Sequence, residues 1–283
     1  MSEENINIEF CQKPTQIASN FAKKTMPAKA SYGKFKTLIL AIAAGAFIAF
    51  GAQGSLTAMA GTDAMAFGFA KLLGGIIFST GLMLIVFTGA ELFTGNVLLG
   101  LSVLEKKIPV SKLIRNWFWV YLGNFIGAAI VAFLIHFANA YHGPNEVLGI
   151  LGLNVAYGKV NLTFGQAFAS GILCNWLVCM AVWMAAAAKD VAGKILAILF
   201  PRTTFAMCGY EHCVANMYMI TNGLLVKTSN AVLTATSLSS EQLQTLNLKA
   251  FLIDNLIPVT LGNIAGALIF VVGIFWVAYL KRK

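Results

Sequence analysis

The sequence predicts an all-α integral membrane protein with six transmembrane helices, arranged as an inverted three-helix repeat in which the second and fifth helices are broken. Three observations support this fold class. Of the 283 residues, 58% are hydrophobic and 11% are charged, a composition typical of a chain with several membrane spans. Apolar stretches alternate with loops that carry most of the basic residues. Two polar motifs also recur in the same order in both halves of the chain.

The N-terminal segment, residues 1–36, is polar and basic, and it lacks a short apolar core near its start. We therefore expect no cleavable signal peptide. Ile17, Phe21, Ala22 and Met26 are interleaved with lysines. This pattern predicts either a basic amphipathic helix on the cytoplasmic membrane surface or an ordinary solvated tail.

The transmembrane domain is expected over residues 37–280, followed by a cytoplasmic tail over 281–283. Its spans are predicted at 37–56, 67–104, 112–138, 164–187, 193–225 and 254–280. Fifteen of the 20 Lys and Arg residues fall in the N-terminal segment, in the loops after spans two and four, and in the tail. Because basic loops stay on the cytoplasmic side, we expect a multi-pass protein of the cell (inner) membrane with both termini in the cytoplasm.

The second span is too long for one straight crossing. A helix over 67–104 would measure about 57 Å at 1.5 Å per residue, whereas the hydrocarbon core is about 30 Å thick. The motif GAELFTGN at 89–96 supplies flexible and polar residues at which this span would break. Backbone freed by a break cannot face lipid, so we expect the break to line an enclosed cavity or pore.

An internal repeat is predicted over about 37–138 and 164–280. The pattern G-x-E-x4-N occurs at 89–96 and 209–216, and the pattern LGN-x2-GA occurs at 122–128 and 261–267. Each unit contains three spans, an odd number, so the second copy must enter the membrane from the opposite face. The two broken helices would then meet near the bilayer midplane.

A helix that restarts after a break presents unpaired N–H groups and the positive end of its dipole. Two such starts near the bilayer centre would form a site for an anion. Glu91 and Glu211 are the only acids deep inside the spans. We interpret them first as acceptors for the freed backbone N–H groups, with Asn96 and Asn216 supporting the same breaks. A direct role of the carboxylates with the ion is the alternative.

His212 departs from the repeat, because the first copy has Leu92 at the equivalent position. A polar residue at the symmetric centre is a functional candidate, and a side chain with an ordinary pKa of about 6.5 can offer a proton or a positive charge. The alternative is a satisfied core histidine. Phe205 shares a helix face with His212, and Phe78 shares one with Leu82, which suggests hydrophobic constrictions or, alternatively, a packing stripe.

No cofactor and no metal are expected. The five cysteines follow no paired spacing, which indicates neither a disulfide framework nor a zinc site. We also expect no nucleic-acid partner, because the net charge of +9 lies in loops between apolar spans. The alternative from another class is a membrane enzyme or haem-binding subunit. Against it, only one of the three histidines lies deep in a span, and no Ser/His/Asp or HExxH constellation occurs.

The sequence resembles the formate/nitrite transporter family of anion channels over nearly the whole chain after residue 36. The resemblance is carried by GAELFTGN at 89–96, GYEHCVANM at 209–217, NWLVCMAVWM at 175–184 and DNLIPVTLGN at 254–263. It implies an aquaporin-like fold, a homopentamer in the lipid bilayer and a pore in each protomer.

The resemblance also implies roles for particular residues. Thr94 and His212 would form the central polar pair, with Glu211 and Asn175 supporting the histidine. Lys159, on an outer loop, would attract anions. The implied constrictions are Leu82 and Phe205 on the cytoplasmic side, and Phe78, Phe93 and Val178 on the outer side.

A bare anion loses more hydration free energy in an apolar constriction than a few neutral hydrogen bonds restore. Our hypothesis is that Lys159 and the helix starts concentrate the anion, and that His212 or its water supplies a proton so that the neutral acid crosses. Arg202 lies outside the family motif and either gathers anions or snorkels. Formate is the expected substrate, with nitrite or hydrosulfide as alternatives, and a purely electrogenic anion channel is the alternative mechanism.

Overall fold

The computed structural model describes residues 11–281, and within this range the chain is helical without a β-strand. The predictions for residues 1–10 and for the last two residues of the tail lie outside the described range. The helices, in chain order, are α1 (Pro14–Asn20), α2 (Met26–Ser31), α3 (Lys34–Met59), α4 (Phe67–Thr88), α5 (Phe93–Asn96), α6 (Leu99–Leu104), α7 (Val110–Phe137), α8 (Val147–Val160), α9 (Phe164–Ala187), α10 (Val191–Met207), α11 (Cys213–Val226), α12 (Asn230–Ala235), α13 (Ser240–Thr245) and α14 (Ala250–Tyr279).

Five of these helices are long and apolar enough to cross a membrane by length and composition: α3, α4, α7, α9 and α14. The helices α3, α7, α9 and α14 each coincide with a predicted span within a few residues, whereas α4 covers only the first part of the second predicted span, 67–104, and α5 and α6 lie in the rest. The fifth predicted span, 193–225, is occupied by α10 and α11, which are 17 and 14 residues long. Neither of these two helices alone has the length of the other spans, so together they form the second interrupted segment of the chain.

Both predicted breaks are present in the structure. One separates α4 from α5, and the other separates α10 from α11. Gly89 and Gly209 follow the two long helices closely and have φ angles of +71° and +73°. This left-handed region is costly for residues with a Cβ atom and open to glycine. The glycines of the repeated motif therefore end the long helices and turn the chain back.

Asn124, on α7, holds the first break in place. Its Oδ1 accepts a hydrogen bond from the Phe93 N–H at 2.9 Å, at the start of α5. Its Nδ2 donates to the carbonyl oxygens of Ala41 at 2.8 Å and Glu91 at 2.9 Å. One buried side chain thus satisfies backbone groups on both sides of the break and ties them to α3.

Asn263, on α14, does the same for the second break. Its Oδ1 accepts from the Cys213 N–H at 2.9 Å, at the start of α11. Its Nδ2 donates to the carbonyl oxygens of Gly171 at 2.8 Å and Glu211 at 2.9 Å. The two asparagines come from the repeated LGN motif, so the sequence repeat corresponds to a repeated set of hydrogen bonds.

The N-terminal segment is helical in its described part, with a π-helical turn at Phe21–Thr25 between α1 and α2. Ile17, Phe21 and Met26 are buried, and the Phe21 ring lies 5.6 Å from that of Trp183 on α9. The predicted apolar face is therefore present, but it packs on the protein and not on the membrane surface.

The prediction missed helix α8, which lies between the third and fourth predicted spans. It has 14 residues, too few for a membrane span, and it packs against α11. Sequence reasoning missed α8 because a membrane span is recognised as a run of about 20 apolar residues, and α8 is shorter and contains several glycines. Lys159 lies in the last turn of α8, so its placement on an outer loop is corrected.

Glycines allow the closest helix contacts, as the GxxxG spacings predict. A Cβ atom on Gly127 of α7 would collide with the Ile42 carbonyl of α3, and one on Gly266 of α14 would collide with the Ile172 carbonyl of α9. These two contacts are related by the repeat. Each brings a helix that carries a break-holding asparagine against its neighbour.

We predict that Gly127→Ala and Gly266→Ala each destabilise the protein by about 1–3 kcal/mol, because the added methyl group meets backbone that cannot move aside. The measurement is the thermal midpoint of the detergent-solubilised protein. Gly165→Ala near the start of α9 is the matched control, since nothing lies within 4 Å of its Cβ position. A Gly127→Ala protein as stable as this control would contradict the packing described here.

Candidate functional site

Two cavities approach each other along α4. The larger, about 750 Å³, is lined by residues of the N-terminal helices together with Leu82, Leu92 and Gly95; we call it the N-terminal cavity. The smaller, about 110 Å³, is lined by Lys159, His212 and neighbouring side chains that include Phe78; we call it the Lys159 cavity. Phe78 and Leu82, one from each lining, are one helical turn apart on α4, which is about 6 Å along the helix; we call the region between these two residues the barrier.

Both cavities have basic linings. Four lysines line the N-terminal cavity, and no carboxylate is among its described lining residues: Lys24, Lys29, Lys189 and Lys194. Lys71 and Lys159 line the smaller cavity, again without an acid among the described residues. An excess of one sign of charge in a cleft with apolar walls raises the local concentration of the opposite ion. The electrostatics of both entrances therefore favour anions.

A buried polar pair lies between the two cavities. Thr94, in α5, and His212, which caps α11, are each almost completely buried. Thr94 Oγ1 and His212 Nε2 are 2.9 Å apart. Gly95, next to Thr94, lines the N-terminal cavity, whereas His212 lines the Lys159 cavity. The structure thus brings together the two residues predicted as the central pair, one from each broken helix.

The surroundings of His212 define its tautomer. The Ala215 N–H donates a hydrogen bond to Nδ1 at 3.1 Å, which makes His212 the N-cap of α11. Because Nδ1 accepts this bond, the neutral ring carries its proton on Nε2. Nε2 therefore donates to Thr94 Oγ1, and the Thr94 hydroxyl proton is available to a third group.

Glu211 does not contact the His212 ring, although it precedes it in sequence. Its Oε1 accepts from Lys159 Nζ at 2.8 Å, and its Oε2 accepts from Asn216 Nδ2 at 2.5 Å. Asn216 Nδ2 also donates to Asn255 Oδ1 at 2.8 Å. The partners of the Glu211 carboxylate are therefore side chains, and not the freed backbone N–H groups that we expected, and Lys159 supplies the charge that balances it.

The first break has the same arrangement with a different lysine. Asn96 Nδ2 donates to Glu91 Oε2 at 2.6 Å and to Asn116 Oδ1 at 2.9 Å. Lys29, from α2, places its Nζ 3.0 Å from Glu91 Oε1 and donates to Asn96 Oδ1 at 3.1 Å. Sequence reasoning missed Lys29, because nothing distinguishes it from the other lysines of the N-terminal segment.

Asn175 has a different partner from the one predicted. Its Nδ2 donates to the Thr94 carbonyl at 3.2 Å and to the Asn263 carbonyl at 2.8 Å. It therefore orients the threonine of the central pair instead of the histidine. Cys179, one turn further along α9, also donates to the Thr94 carbonyl at 3.4 Å.

The aromatic residues group differently from the prediction. Phe205 was assigned with Leu82, but its ring lies 5.7 Å from that of Phe78 in an edge arrangement, and both rings line the Lys159 cavity. Leu82 lines the N-terminal cavity instead. The Phe205 ring is also stacked on His212, with centroids 6.0 Å apart. Phe78 and Phe205 thus cover the histidine on one side of the barrier.

Phe93 and Val178 are buried, and neither is among the described residues that line the two cavities. Phe93 packs its ring against Tyr121 at 4.9 Å and Trp117 at 5.9 Å. Val178 lies one turn before Val182, which lines the N-terminal cavity. Neither residue is among the described residues that line the Lys159 cavity, with which the prediction placed them.

Two broken helices with converging starts, basic entrances from opposite ends of α4 and a buried polar pair between them define a membrane channel or transporter for anions. Comparison with known proteins gives the family. A sequence profile described as formate/nitrite transporter matches residues 16–277, and the chain belongs to this family.

The chain is similar to known channels along most of its length. It is 40% identical over 257 residues to the formate channel FocA of Escherichia coli (strain K12), covering 90% of each chain. It is 39% identical over 266 residues to a probable formate transporter of Methanothermobacter thermautotrophicus, covering 87% of this chain and 90% of that one. These relatives are channels and transporters, and not enzymes.

Two solved structures share the fold. A pentameric formate channel with formate bound is 38% identical, with a TM-score of 0.80 over 88% of this chain and 98% of that one. A channel described as an FNT family ion channel is 26% identical, with a TM-score of 0.77 over 94% and 98% of the two chains. The chain is thus a multi-pass membrane protein with the fold of these channels.

We predict that Lys29→Met loosens the N-terminal helices, because it leaves the buried Glu91 carboxylate without its cationic partner. Amide hydrogen exchange in Met26–Ser31 should become at least about tenfold faster than in the wild type. Lys23→Met is the matched control, since Lys23 is exposed on the same segment. Equal exchange rates in the two variants would show that the ion pair does not hold this segment.

Proposed function

We propose that this protein is a membrane channel for small monovalent anions of weak acids, with formate as its substrate. One observation carries the proposal: two lysine-lined cavities end on either side of a barrier about 6 Å long, and the Thr94–His212 pair lies within that barrier. A basic lining repels cations and gathers anions. The formate channels among the relatives support formate over other weak-acid anions.

We propose the finer architecture on the same basis. α10 and α11 would together form a sixth span, giving an aquaporin-like fold from two inverted units over about 37–138 and 164–280. The matched asparagine contacts support the repeat. The related pentameric structure supports a homopentamer. Large apolar side chains are exposed on α7, among them Phe118, Phe133 and Leu134, and these would face lipid or neighbouring protomers.

We propose that both termini lie in the cytoplasm of a cell whose inner membrane holds the protein. The N-terminal cavity would then open to the cytoplasm, because the N-terminal helices meet there with Lys189 and with Lys194 of the first turn of α10. The domain organisation would follow the sequence prediction: a cytoplasmic segment over 1–36, the channel domain over 37–280 and a short tail over 281–283.

We propose a revised assignment of the two constrictions. Phe78 and Phe205 would form the outer one, since both line the Lys159 cavity. Leu82 would form the cytoplasmic one. Phe93 follows Leu92, which lines the N-terminal cavity, and Val178 precedes Val182 by one turn on the same face of α9. These two positions support placing Phe93 and Val178 with Leu82.

Proton coupling through His212 is the mechanism we propose for crossing the barrier. An anion that becomes a neutral acid avoids much of the free-energy cost of losing its hydration. Lys159 would draw the anion to the outer entrance, and the ring or its water would pass the proton. A doubly protonated ring needs a proton on Nδ1, so the Ala215 N–H bond would have to break first. Protonation of His212 would therefore disturb the start of α11.

We predict that His212→Asn and His212→Phe separate the two roles of His212, which are proton transfer and capping of α11. Asn can still cap α11 through its side-chain oxygen but cannot titrate near neutral pH; Phe can do neither. In proteoliposomes with a pH gradient, both variants should lose the stimulation of formate uptake by an acidic outside. Only His212→Phe should also lower the thermal midpoint, because loss of the cap reduces the free energy of unfolding by about 1 kcal/mol.

The wild-type protein provides the reference for this experiment. Uptake that responds to the pH gradient as strongly in His212→Asn as in the wild type would exclude proton coupling through the ring. Steady currents carried by formate without any effect of the gradient would select the purely electrogenic channel. A panel of formate, nitrite and hydrosulfide in the same vesicles would rank the substrates.

A further inference from the structure

Arg202, on α10, is a fully buried cation without a hydrogen-bond partner. Its side chain has no solvent exposure. Within the described part of the chain, its Nε and both terminal nitrogens lack an acceptor. A guanidinium group carries five N–H donors and stays charged at any physiological pH. Burying such a group without acceptors is unfavourable, so its retention in the barrier requires an explanation.

Within the described residues, no carboxylate is positioned to balance Arg202. The two acids deep inside the predicted spans are already engaged, Glu91 with Lys29 and Glu211 with Lys159. Among residues 11–281, no ion pair involves Arg202. The partial compensation that the protein offers comes from two aromatic rings: the guanidinium carbon lies 4.4 Å from the centroid of Phe78 and 4.5 Å from that of Phe205.

The position of Arg202 in the repeat places it on the pathway. It stands seven residues before Gly209, as Leu82 stands seven residues before Gly89. Leu82 lines the N-terminal cavity at the barrier, so Arg202 occupies the corresponding place in the second unit. It also contacts both rings that separate the Lys159 cavity from the barrier, and one of them, Phe205, is stacked on His212.

We propose that Arg202 is an anion-binding site within the barrier, which accepts the ionised substrate through its guanidinium group. The site rests on the proposed function, and it adds a resident cation behind the Phe78 and Phe205 rings, the second of which is stacked on His212. The missing acceptors of Arg202 are the oxygen atoms of the passing anion. Since Arg202 is not exposed in the cavity, an anion reaches it when the Phe78 or Phe205 ring turns aside.

The shape of the guanidinium group determines which anions it prefers. Its N–H groups form a planar fork that matches two oxygen atoms held by one central atom. Formate and nitrite have this geometry, whereas hydrosulfide and chloride offer a single acceptor atom. Arg202 therefore selects small planar oxyanions over monatomic or thiol-derived anions. A lysine at this position would keep the charge and lose the fork.

The test compares the wild type with Arg202→Met and Arg202→Lys in proteoliposomes. The measurements are the formate concentration that gives half-maximal initial uptake and the rate of hydrosulfide uptake. In Arg202→Met, half-saturation by formate should require at least a tenfold higher concentration, while hydrosulfide uptake should change less than twofold. In Arg202→Lys, affinity should be partly retained, but the preference for formate over hydrosulfide should fall.

A second measurement detects the contact in the unmodified protein, and a variant serves only to assign the signal to Arg202. The chain has three arginines, Arg115, Arg202 and Arg282. With ¹⁵N-arginine in the protein and ¹³C-formate in the vesicles, solid-state NMR should show a dipolar coupling between formate carbon and guanidinium nitrogen. This coupling should disappear in Arg202→Lys.

The outcomes distinguish this proposal from the proposed function. Wild-type vesicles that take up no more formate than protein-free vesicles would overturn the proposed function itself. Wild-type uptake that saturates normally, together with an unchanged half-saturation concentration in Arg202→Met or no dipolar coupling, would overturn the Arg202 site alone. A tenfold shift and a coupling lost in Arg202→Lys would establish it.

Discussion

The constraint on which the rest of this structure depends is the hydrogen bonding of two interrupted helices inside an apolar domain. A break leaves N–H and carbonyl groups that lipid cannot satisfy. Asn124 and Asn263 each satisfy two such groups, one N–H and one carbonyl, and each also donates to a carbonyl of a neighbouring helix. Because one asparagine per repeat makes these hydrogen bonds, other polar groups near the breaks can serve an ion pathway.

Charge balance at the breaks also depends on one residue per repeat. Each carboxylate is paired with a lysine that comes from the segment preceding its own repeat, Lys29 for Glu91 and Lys159 for Glu211. The pairing neutralises the two acids that would otherwise repel an anion. Lysines line both cavities without a carboxylate among the described lining residues, and they determine the sign of the potential at both entrances. The carboxylates support the breaks without opposing the substrate.

The sequence was sufficient to predict those features of the fold that depend on local chemistry and on the internal repeat. The break at Gly89 and the apolar face of the N-terminal segment follow from residue type and spacing, whereas the pairing of Thr94 with His212 followed from the family resemblance. The sequence was not sufficient to predict which side chains of different helices come into contact. Phe205 pairs with Phe78 because α4 and α10 pack side by side, and helix periodicity gives only the face of each residue.

The chemistry of the barrier arises where the two halves of the repeat differ. The shared residues hold the breaks, and the first unit places Leu92 and Leu82 where the second unit has His212 and Arg202. A symmetric scaffold with leucines in both copies would close the pathway with apolar side chains alone. Replacing them in one copy introduces a titratable ring, which contacts Thr94 of the other copy, and a buried cation, which contacts Phe78 and Phe205. The duplicated frame thus supplies rigidity, and its asymmetry supplies the groups that can hold an anion and move a proton.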